Sequence, residues 1–283
     1  MKLEPWKTGL AEVSFLKPHE QSIQRIVDKL AENIKKSGRI IHPVIVDAST
    51  GLVVDGTHRV EAAKHLKLRY IPVYSVDYLS EKIVLDGWGR ILKKPAEFRR
   101  LFDEAVKIGF KPCETTAEAS VCFFTSSGSA SCLSLEEADV HRLYEKISKL
   151  ESYLSKFDIM YVPEPQLMQA LISGGSQLGY RIRLLRKTEV LNLVERGFRL
   201  PPKSTRHVVD RRPMFVLCPL EILRSVDAES LFHDWLSRGS WVELGEGVEL
   251  DRRYDEKVAV FYREDLRNLY PPMVLELLKA VKA

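Results

Sequence analysis

The sequence predicts a protein of mixed α and β structure that is divided into two domains. Short apolar runs typical of strands alternate with helical apolar stripes along most of the chain. A chain of 283 residues is too long for one small domain and suits two. The hydrophobic fraction of 45% allows each domain to bury a core.

The first domain is predicted over residues 1–92. A helix is expected from Glu20 to Ser37 because apolar residues recur there at helical spacing. These apolar residues are Ile23, Ile26, Val27, Leu30 and Ile34. Strands are predicted at 13–16, 43–46, 51–54 and 70–76, and the segment 55–59 is expected to lead into a short helix that ends near Leu66. Pro72 favours an edge position or a strand start for the last strand.

The second domain is predicted over residues 93–223. Its expected elements are a helix opened by Pro95, a strand at 121–124, a long helix at 135–154, a strand at 180–185 and a helix at 188–196. Residues 125–131 form the expected hairpin loop. Residues 224–283 alternate short apolar runs with charged residues and carry no recognisable motif, so they are treated as a C-terminal extension of unknown role.

Charge and composition exclude several classes of protein. The formal net charge is +4, from 43 Lys and Arg against 39 Asp and Glu, which is too balanced for binding nucleic acid by bulk charge, although a local basic patch stays open. The sequence contains no apolar run of about 18 residues, so no membrane span is predicted. The first residues lack the apolar core of a secretion signal, so a cytoplasmic location is expected.

Amide and cysteine usage adds two expectations. Gln and Asn total only 8 residues, which favours a thermophilic source. The chain has four cysteines and no CxxC pair, so we expect buried or free thiols in a reducing cytoplasm. The four are Cys113, Cys122, Cys132 and Cys218.

The segment from Asp55 to Arg59 is the first candidate site. A strand runs into Gly56 and then into a helix start, where unpaired backbone N–H groups and the helix dipole attract phosphate or carboxylate. Arg59 can add a charge-assisted contact, and His58 can supply a proton or a donor. The alternative is a capped turn, with Asp55 as the N-cap and Arg59 solvated.

Two further segments carry candidate chemistry. Glu20, between a strand and a helix, is either a general base or a first-turn carboxylate that complements the helix dipole. The loop from Lys203 to His207 joins two cations, a histidine and two hydroxyls, which suits anion capture but also suits a solvated turn. Trp88 lies between glycines and either lines an opening or packs a linker.

Other polar residues have simpler expected roles. We interpret His42 as a surface or capping residue and the pair Arg211 and Arg212 as solvated charges. The phosphate-loop pattern GxxxxGK[ST] and the kinase-type pattern GxGxxG are absent from the sequence.

Four segments in this order and spacing resemble the free L-serine kinases of archaea and of some bacterial siderophore clusters, which have the ParB/sulfiredoxin-like fold. The segments are Lys17-Pro-His-Glu-Gln21 with Gln24-Arg25, Val54-Asp-Gly-Thr-His-Arg59, Trp88, and Lys203-Ser-Thr-Arg-His-Val208. The resemblance covers about residues 12 to 223. It implies an N-terminal nucleotide-binding domain, a second α/β domain, and an active site in the cleft between them.

The resemblance also implies a reaction and its cofactors. A phosphoryl group passes from ATP or ADP to the hydroxyl of free L-serine, and the product O-phospho-L-serine feeds cysteine biosynthesis. Nucleotide and serine are then the partners, with neither nucleic acid nor membrane expected. A Mg²⁺ ion would bridge the phosphates with few protein ligands, Asp55 being a candidate.

Roles for single residues follow from the same resemblance. Glu20 matches the catalytic base, and Asp55 and His58 match groups that assist the reacting centre. The nucleotide and phosphate loop would comprise Gly56, Thr57, His58 and Arg59. Substrate binding would fall to Trp88, Lys203, Ser204, Thr205, Arg206 and His207.

Departures from the family pattern keep alternatives open. Thr57 and the pair Ile41-His42 replace residues that border the nucleotide or the substrate, so the donor and the strictness for serine are not determined. A kinase for another small alcohol, such as a sugar or an inositol, is one alternative. A ParB-like protein that binds DNA or CTP is another. Sulfiredoxin chemistry is excluded because Thr57 stands where that chemistry needs a cysteine.

Overall fold

The computed structural model describes residues 3–117, 119–136, 139–175 and 178–282 and confirms the mixed α and β class. In chain order the strands are β1 Lys7–Glu12, β2 Lys17–Pro18, β3 Arg39–Ile40, β4 Val44–Asp47, β5 Leu52–Asp55, β6 Tyr70–Val76, β7 Ile83–Asp86, β8 Trp88–Leu92, β9 Lys111–Cys113, β10 Val121–Thr125, β11 Ala130–Ser134, β12 Ile159–Pro163, β13 Leu178–Ile182, β14 Arg206–Val209, β15 Arg211–Met214, β16 Cys218–Pro219, β17 Ser240–Gly245, β18 Val248–Glu249, β19 Arg253–Tyr254 and β20 Lys257–Tyr262. The helices are α1 Gln24–Ser37, α2 Thr57–His65, α3 Phe98–Ile108, α4 Val140–Leu154, α5 Leu167–Ser173, α6 Lys187–Glu195, α7 Leu220–Arg224, α8 Ala228–Ser237 and α9 Pro272–Lys282.

The chain folds into two compact units. Unit 1 takes the residues up to Val84 together with those from His207 onward, and unit 2 runs from Leu85 to Arg206. These limits differ from the predicted domain bounds at 92 and 223. The difference arises because β8 pairs with β12 and β13 of unit 2, while the last 60 or so residues pack into the core of unit 1.

Unit 1 is built on a five-stranded sheet in the order β1-β6-β4-β5-β2. β4 and β5 form the predicted antiparallel hairpin, and β2 runs parallel to β5. Helices α1 and α2 pack beside this sheet, and their apolar faces enter its core through Val27, Ile34 and Val60. This arrangement places the end of β2 and the end of β5 next to each other.

The C-terminal residues are part of unit 1. Phe232 of α8 is buried in the core of the five-stranded sheet. A second sheet, in the order β15-β20-β17, pairs β20 with β15 in parallel and with β17 in antiparallel orientation. Val258 and Val260 of β20 are fully buried. The segment described as an extension therefore supplies core residues and a central strand.

Unit 2 contains a six-stranded antiparallel sheet in the order β12-β8-β13-β10-β11-β9. Helix α4 packs with α3 and α6. It buries Leu143, Ile147, Leu150 and Leu154, which confirms the apolar stripe of the predicted long helix. The helix starts at Val140, after the Asp139 N-cap accepts hydrogen bonds from the next backbone N–H groups, rather than at 135.

Three local predictions in unit 1 are wrong. Residues Val13–Phe15 form a 3₁₀ turn, and the neighbouring strand is β1, which pairs with β6 along its whole length. Helix α1 begins at Gln24 rather than Glu20, since Ile23 is extended and its N–H bonds to a side chain. Pro72 lies in β6, an interior strand, opposite Leu10 of β1. Because proline has no backbone N–H, the sheet loses one hydrogen bond at this position.

The prediction of four thiols is also wrong. Cys122 and Cys132 stand opposite each other in the β10–β11 hairpin and form a disulfide, while Cys113 and Cys218 remain outside it. Disulfides are rare in the cytoplasm but occur in intracellular proteins of hyperthermophiles. No helix in the described part of the chain has both the length and the apolar composition that a membrane crossing requires.

Candidate active site

Glu20 lies in a short segment that is anchored at both ends to the junction of β5 and α2. On one side, the buried His19 has its Nδ1 2.6 Å from the carbonyl oxygen of Val53. On the other side, the backbone N–H of Ile23 donates to Nε2 of His58 over 3.1 Å. The helix-dipole alternative for Glu20 is therefore wrong, because Glu20 precedes α1 and is held instead beside the predicted phosphate loop.

Gly56 makes the turn from β5 into α2 and permits the close approach of Arg59. Its φ of 105° lies in the left-handed region that favours glycine. A Cβ atom at this position would stand 2.7 Å from Nη2 and 2.8 Å from Nε of Arg59. Gly56 is also the N-cap residue, so the alternative in which Asp55 caps the helix is wrong.

Asp55 is the centre of a chain of ion pairs within unit 1. Its Oδ2 accepts hydrogen bonds from Nη2 of Arg59 and from Nη1 of Arg212, both at 2.8 Å. Nε of Arg212 in turn donates to Oε1 of Glu256 at 2.5 Å. The Arg212 and Glu256 side chains are only 7% and 5% exposed, so the interpretation of Arg212 as a solvated charge is wrong.

The charges around Asp55 determine its protonation state. Desolvation alone would raise its pKa, but the cations Arg212, Arg59 and Arg252 outweigh that effect and hold the pKa well below its usual range. A carboxylate that stays ionised and paired at neutral pH is a poor proton acceptor. Asp55 can therefore orient Arg59, but it is not suited to act as a general base.

Arg59 presents a donor that the protein does not use. Its Nε is buried and has no hydrogen-bond partner among the described residues, whereas Nη2 is held by Asp55. The first N–H groups of α2 also lack intrahelical partners, as at any helix start. Phosphate oxygens suit this combination of guanidinium and helix N-terminus. The solvated alternative for Arg59 is wrong, since its side chain is 20% exposed and paired.

His207 and His42 lie beside these groups in unit 1. The His207 ring makes an edge contact with the His19 ring, with 5.1 Å between centroids, and its Nε2 is hydrogen-bonded to the Tyr78 hydroxyl at 2.9 Å. His42 accepts a hydrogen bond from the backbone N–H of Phe215. Burial and the nearby Arg59 charge lower the pKa of His42 to about 3, so the ring is uncharged at neutral pH.

The predicted substrate residues of unit 2 surround the Trp88 side chain. The indole N–H donates to the carbonyl oxygen of Thr205 at 2.8 Å. Nζ of Lys203 lies 4.2 Å from the ring centroid, and the Arg206 guanidinium lies 5.9 Å from it. Arg206 is oriented by Oδ2 of Asp86 at 3.0 Å. Two cations thus face one aromatic ring, an arrangement that suits an anionic substrate group.

Arg90 joins the two segments that carry these residues. Its side chain is 1% exposed. Nη1 donates to the carbonyl oxygen of Trp88 at 2.6 Å, and Nη2 donates to that of Lys203 at 3.0 Å. Nε is held by Glu151 at 2.7 Å. Ser204 is buried and donates to the carbonyl oxygen of Pro201, so this loop is a built structure and the solvated-turn alternative is wrong.

The structure gathers the predicted residues into two groups, one in each unit. Unit 1 brings together Glu20, the loop from Asp55 to Arg59, and His207. Unit 2 brings together Trp88, Lys203, Thr205 and Arg206. Sequence reasoning missed the residues that hold these groups in place, which are Tyr78, Arg90, Glu151, Arg212 and Glu256.

Comparisons with curated proteins find relatives of two descriptions. A ParB-like protein of Sulfolobus acidocaldarius is 28% identical over 193 residues, covering 68% of this chain and 86% of the relative. An ATP-dependent L-serine kinase of Staphylothermus marinus is 25% identical over 230 residues, which cover 76% of this chain and 90% of that kinase. An ADP-dependent L-serine kinase of Thermococcus kodakarensis is 26% identical over 220 residues, which cover 75% of this chain and 91% of that kinase. The chain resembles the free L-serine kinases.

Solved structures agree with this resemblance at the level of the fold. A variant of free serine kinase in complex with ADP has a TM-score of 0.64 at 22% identity, covering 79% of this chain and 96% of the free serine kinase. SbnI from Staphylococcus aureus with a C-terminal truncation has a TM-score of 0.67 at 19% identity, covering 81% and 95%. No family profile matches the chain. The likeness to a free serine kinase confirms the predicted fold class.

Proposed function

We propose that this protein is a kinase that transfers a phosphoryl group from ATP or ADP to the hydroxyl of free L-serine. The observation that carries the proposal is the buried, unpartnered Nε of Arg59 at the start of α2, beside the anchored segment of Glu20. A donor for phosphate and a carboxylate for proton transfer are what this reaction needs from the protein. The relatives named L-serine kinases support free serine as the acceptor of the phosphoryl group.

The proposed step forms one bond and breaks one. The serine Oγ attacks the terminal phosphorus of the nucleotide, and the bond from that phosphorus to the bridging oxygen breaks. Glu20 accepts the hydroxyl proton. Gly56, Thr57 and His58 contribute backbone N–H groups to the phosphates, and Arg59 contributes its guanidinium. Asp55 orients Arg59 rather than accepting a proton, since its pKa is held low.

Serine binding is proposed for the Trp88 group and for His207. Lys203 and Arg206 would neutralise the serine carboxylate or the product phosphate, since both face the Trp88 ring. Thr205 would hold the ring through its carbonyl oxygen, and Ser204 would hold the loop through Pro201. The product would be O-phospho-L-serine, a precursor for cysteine biosynthesis.

Mg²⁺ belongs to the proposal as an ion carried by the nucleotide. No group of three or more His, Cys, Asp or Glu side chains is arranged to hold a metal within residues 3–117, 119–136, 139–175 and 178–282. Mg²⁺ usually takes one or two carboxylates together with substrate phosphates. Asp55 is poorly suited to such a contact, because its Oδ2 already binds two arginines. When bound, the ion neutralises phosphate charge.

The proposal is tested by incubating the protein with Mg²⁺, serine and either ATP or ADP. O-phosphoserine is then sought by mass spectrometry at the working temperature of the protein. Formation with one donor only would also decide between the two nucleotides. Parallel reactions with sugars and inositol test the other small alcohols. Absence of phosphoserine with both donors would rule the proposal out. The substrates are cytoplasmic metabolites, and we include that location in the proposal.

A ParB-like role is the second candidate function. It is favoured by the relative named a ParB-like protein, which is 28% identical over 193 residues. That role would require binding of CTP, of DNA, or of both. Titration of labelled duplex DNA at several salt concentrations, and calorimetry with CTP, separate it from the kinase proposal. Binding of DNA or CTP without serine phosphorylation would favour this second function.

A further inference from the structure

The ion-pair chain that ends at Arg59 begins in the C-terminal part of unit 1. Glu256 directly precedes β20, and Arg212 lies in β15, which runs parallel to β20 with Arg212 opposite Val258. The hydrogen bonds run from Glu256 to Arg212, from Arg212 to Asp55, and from Asp55 to Arg59. The predicted phosphate loop is therefore connected to a segment that lies about 200 residues later in the chain.

The geometry at Asp55 is unusual for an arginine–carboxylate pair. Such pairs often use two parallel N–H bonds to the two carboxylate oxygens. Here Arg59 donates only Nη2 to Oδ2, and Arg212 donates to the same oxygen. Nε of Arg59 is left without a partner among the described residues. Arg212 thus competes for Asp55 and limits how far Asp55 can engage Arg59.

We propose that Arg212, fixed by Glu256, is a positioning residue that keeps Nε of Arg59 available for a nucleotide phosphate. Without Arg212, Asp55 can turn to Arg59 and take both Nη2 and Nε in a two-bond pair, which removes the donor that the phosphate needs. The C-terminal segment thereby takes part in nucleotide binding. This inference rests on the proposed function, because it assumes that a nucleotide binds at the start of α2.

The test compares two ligands that differ in phosphate. Dissociation constants for ADP and for adenosine are measured by calorimetry on the full chain. Arg212→Lys keeps a positive charge but loses the guanidinium, whose separate N–H groups donate to Glu256 and to Asp55. We expect the ADP constant to rise about tenfold, since one charge-assisted hydrogen bond is lost. The adenosine constant should stay unchanged, because adenosine has no phosphate.

A second variant and a matched control complete the test. Glu256→Gln keeps an acceptor for Arg212 but removes its counter-charge, so the ADP constant should rise by a smaller factor, again with adenosine unchanged. Arg211→Lys, in the same strand and paired with the exposed Glu243, should change neither constant. Glu256→Gln decides the question if Arg212→Lys does not fold, as judged by circular dichroism.

The outcomes separate this inference from the proposed function. Equal weakening of ADP and adenosine in the variants would indicate general loosening of unit 1 and would overturn the positioning role. Unchanged ADP binding in both folded variants would overturn it as well. Failure of the wild-type protein to bind ADP would overturn the proposed function and this inference with it.

Discussion

Asp55 and Glu20 are both carboxylates of unit 1, yet their surroundings differ. Asp55 accepts hydrogen bonds from two arginines, and its pKa is held well below its usual range. Glu20 lies beside the His19 ring, with Nε2 of His19 3.8 Å from its Oε1. We therefore assign Asp55 to orienting Arg59 and propose the proton-accepting role for Glu20.

Substitution of Glu20 tests this division of roles. Glu20→Gln should lower kcat for serine phosphorylation by roughly 10²- to 10⁴-fold, the usual contribution of a general base. The dissociation constant for ADP should stay within about twofold, because the amide does not disturb the arginine pair of Asp55. Glu32→Gln, an exposed carboxylate on α1, is the matched control and should keep full activity. Full activity in Glu20→Gln would remove Glu20 from the base role.

His42 predicts a pH dependence of stability. Its pKa is about 3 in the folded protein, lowered chiefly by burial, against an ordinary value of 6.5. Between these values the unfolded chain binds a proton that the folded protein excludes, so the free energy of unfolding falls as the pH falls from about 6.5 towards 3. Above pH 6.5 this group adds no pH dependence.

The measurement is urea unfolding at pH 7 and at pH 4.5. The loss of unfolding free energy between the two pH values should be smaller in His42→Gln, which keeps an acceptor for the Phe215 N–H, than in the wild type. His65→Gln serves as the control, since the His65 side chain is 55% exposed. An identical pH slope in wild type and His42→Gln would contradict the burial argument.

At the scale of elements, the junction of β5 and α2 depends on a residue without a side chain. Gly56 combines a left-handed backbone with close contact to Arg59. Gly38, after α1, has a φ of 67° but nothing within 4 Å of an added Cβ. Both glycines have a positive φ, but only Gly56 has close neighbours, so Gly38 serves as the control for the contact.

Gly38→Ala should cost about 1 kcal/mol of unfolding free energy, from left-handed backbone strain alone. Gly56→Ala should cost more, because the new methyl group also displaces the Arg59 guanidinium. Only Gly56→Ala should weaken ADP binding, by about tenfold or more, as measured by calorimetry. Equal ADP affinity in the two variants would show that Arg59 does not depend on this junction.

In unit 2 the buried ion pair of Arg90 with Glu151 holds the segments of Trp88 and Lys203 in place. Arg90→Lys cannot bond both the Trp88 and the Lys203 carbonyl oxygens in the fixed geometry of a guanidinium. We expect the KM for serine to rise about tenfold and the KM for nucleotide to change little. Arg183→Lys, whose partner is Glu189, is the control. A parallel rise in both KM values would indicate loss of fold rather than loss of positioning.

Across the whole molecule, local signals predicted the parts of the site that lie close together in sequence. The glycine after a strand identified the loop from Asp55 to Arg59 and the start of α2, and periodic apolar residues identified most of α1. The disulfide also had a local signal, because Cys122 and Cys132 flank the predicted hairpin loop. That signal was outweighed by the expectation of a reducing compartment.

The missed residues are long-range partners. Arg212 is 157 positions from Asp55, and Tyr78 is 129 positions from His207. Nothing in the local pattern around Arg212 distinguishes it from Arg211, which is paired at the surface. Arg90 was missed because arginines are rarely buried, and only the tertiary structure supplies its three acceptors. Such partners become visible when the sheets are assembled.

The same long-range packing predicts that the C-terminal part of unit 1 cannot be removed without unfolding that unit. A chain ending at residue 223 would lose β20, the neighbour of β15, together with the buried Phe232 and the Glu256 partner of Arg212. The deletion breaks the buried ion pair of Arg212 with Glu256, and it also exposes the apolar core that β20 and Phe232 cover.

Hydrogen exchange on the shortened chain checks this prediction strand by strand. Amides of β4 and β6 in unit 1 should lose protection, while those of β10 and β13 in unit 2 should keep it, because unit 2 has its own buried core. Removal of 280–283 alone is the control and should leave both units protected, since Ala280 and Val281 are exposed. Strong protection of β4 and β6 in the chain ending at 223 would show that the C-terminal segment is a dispensable addition.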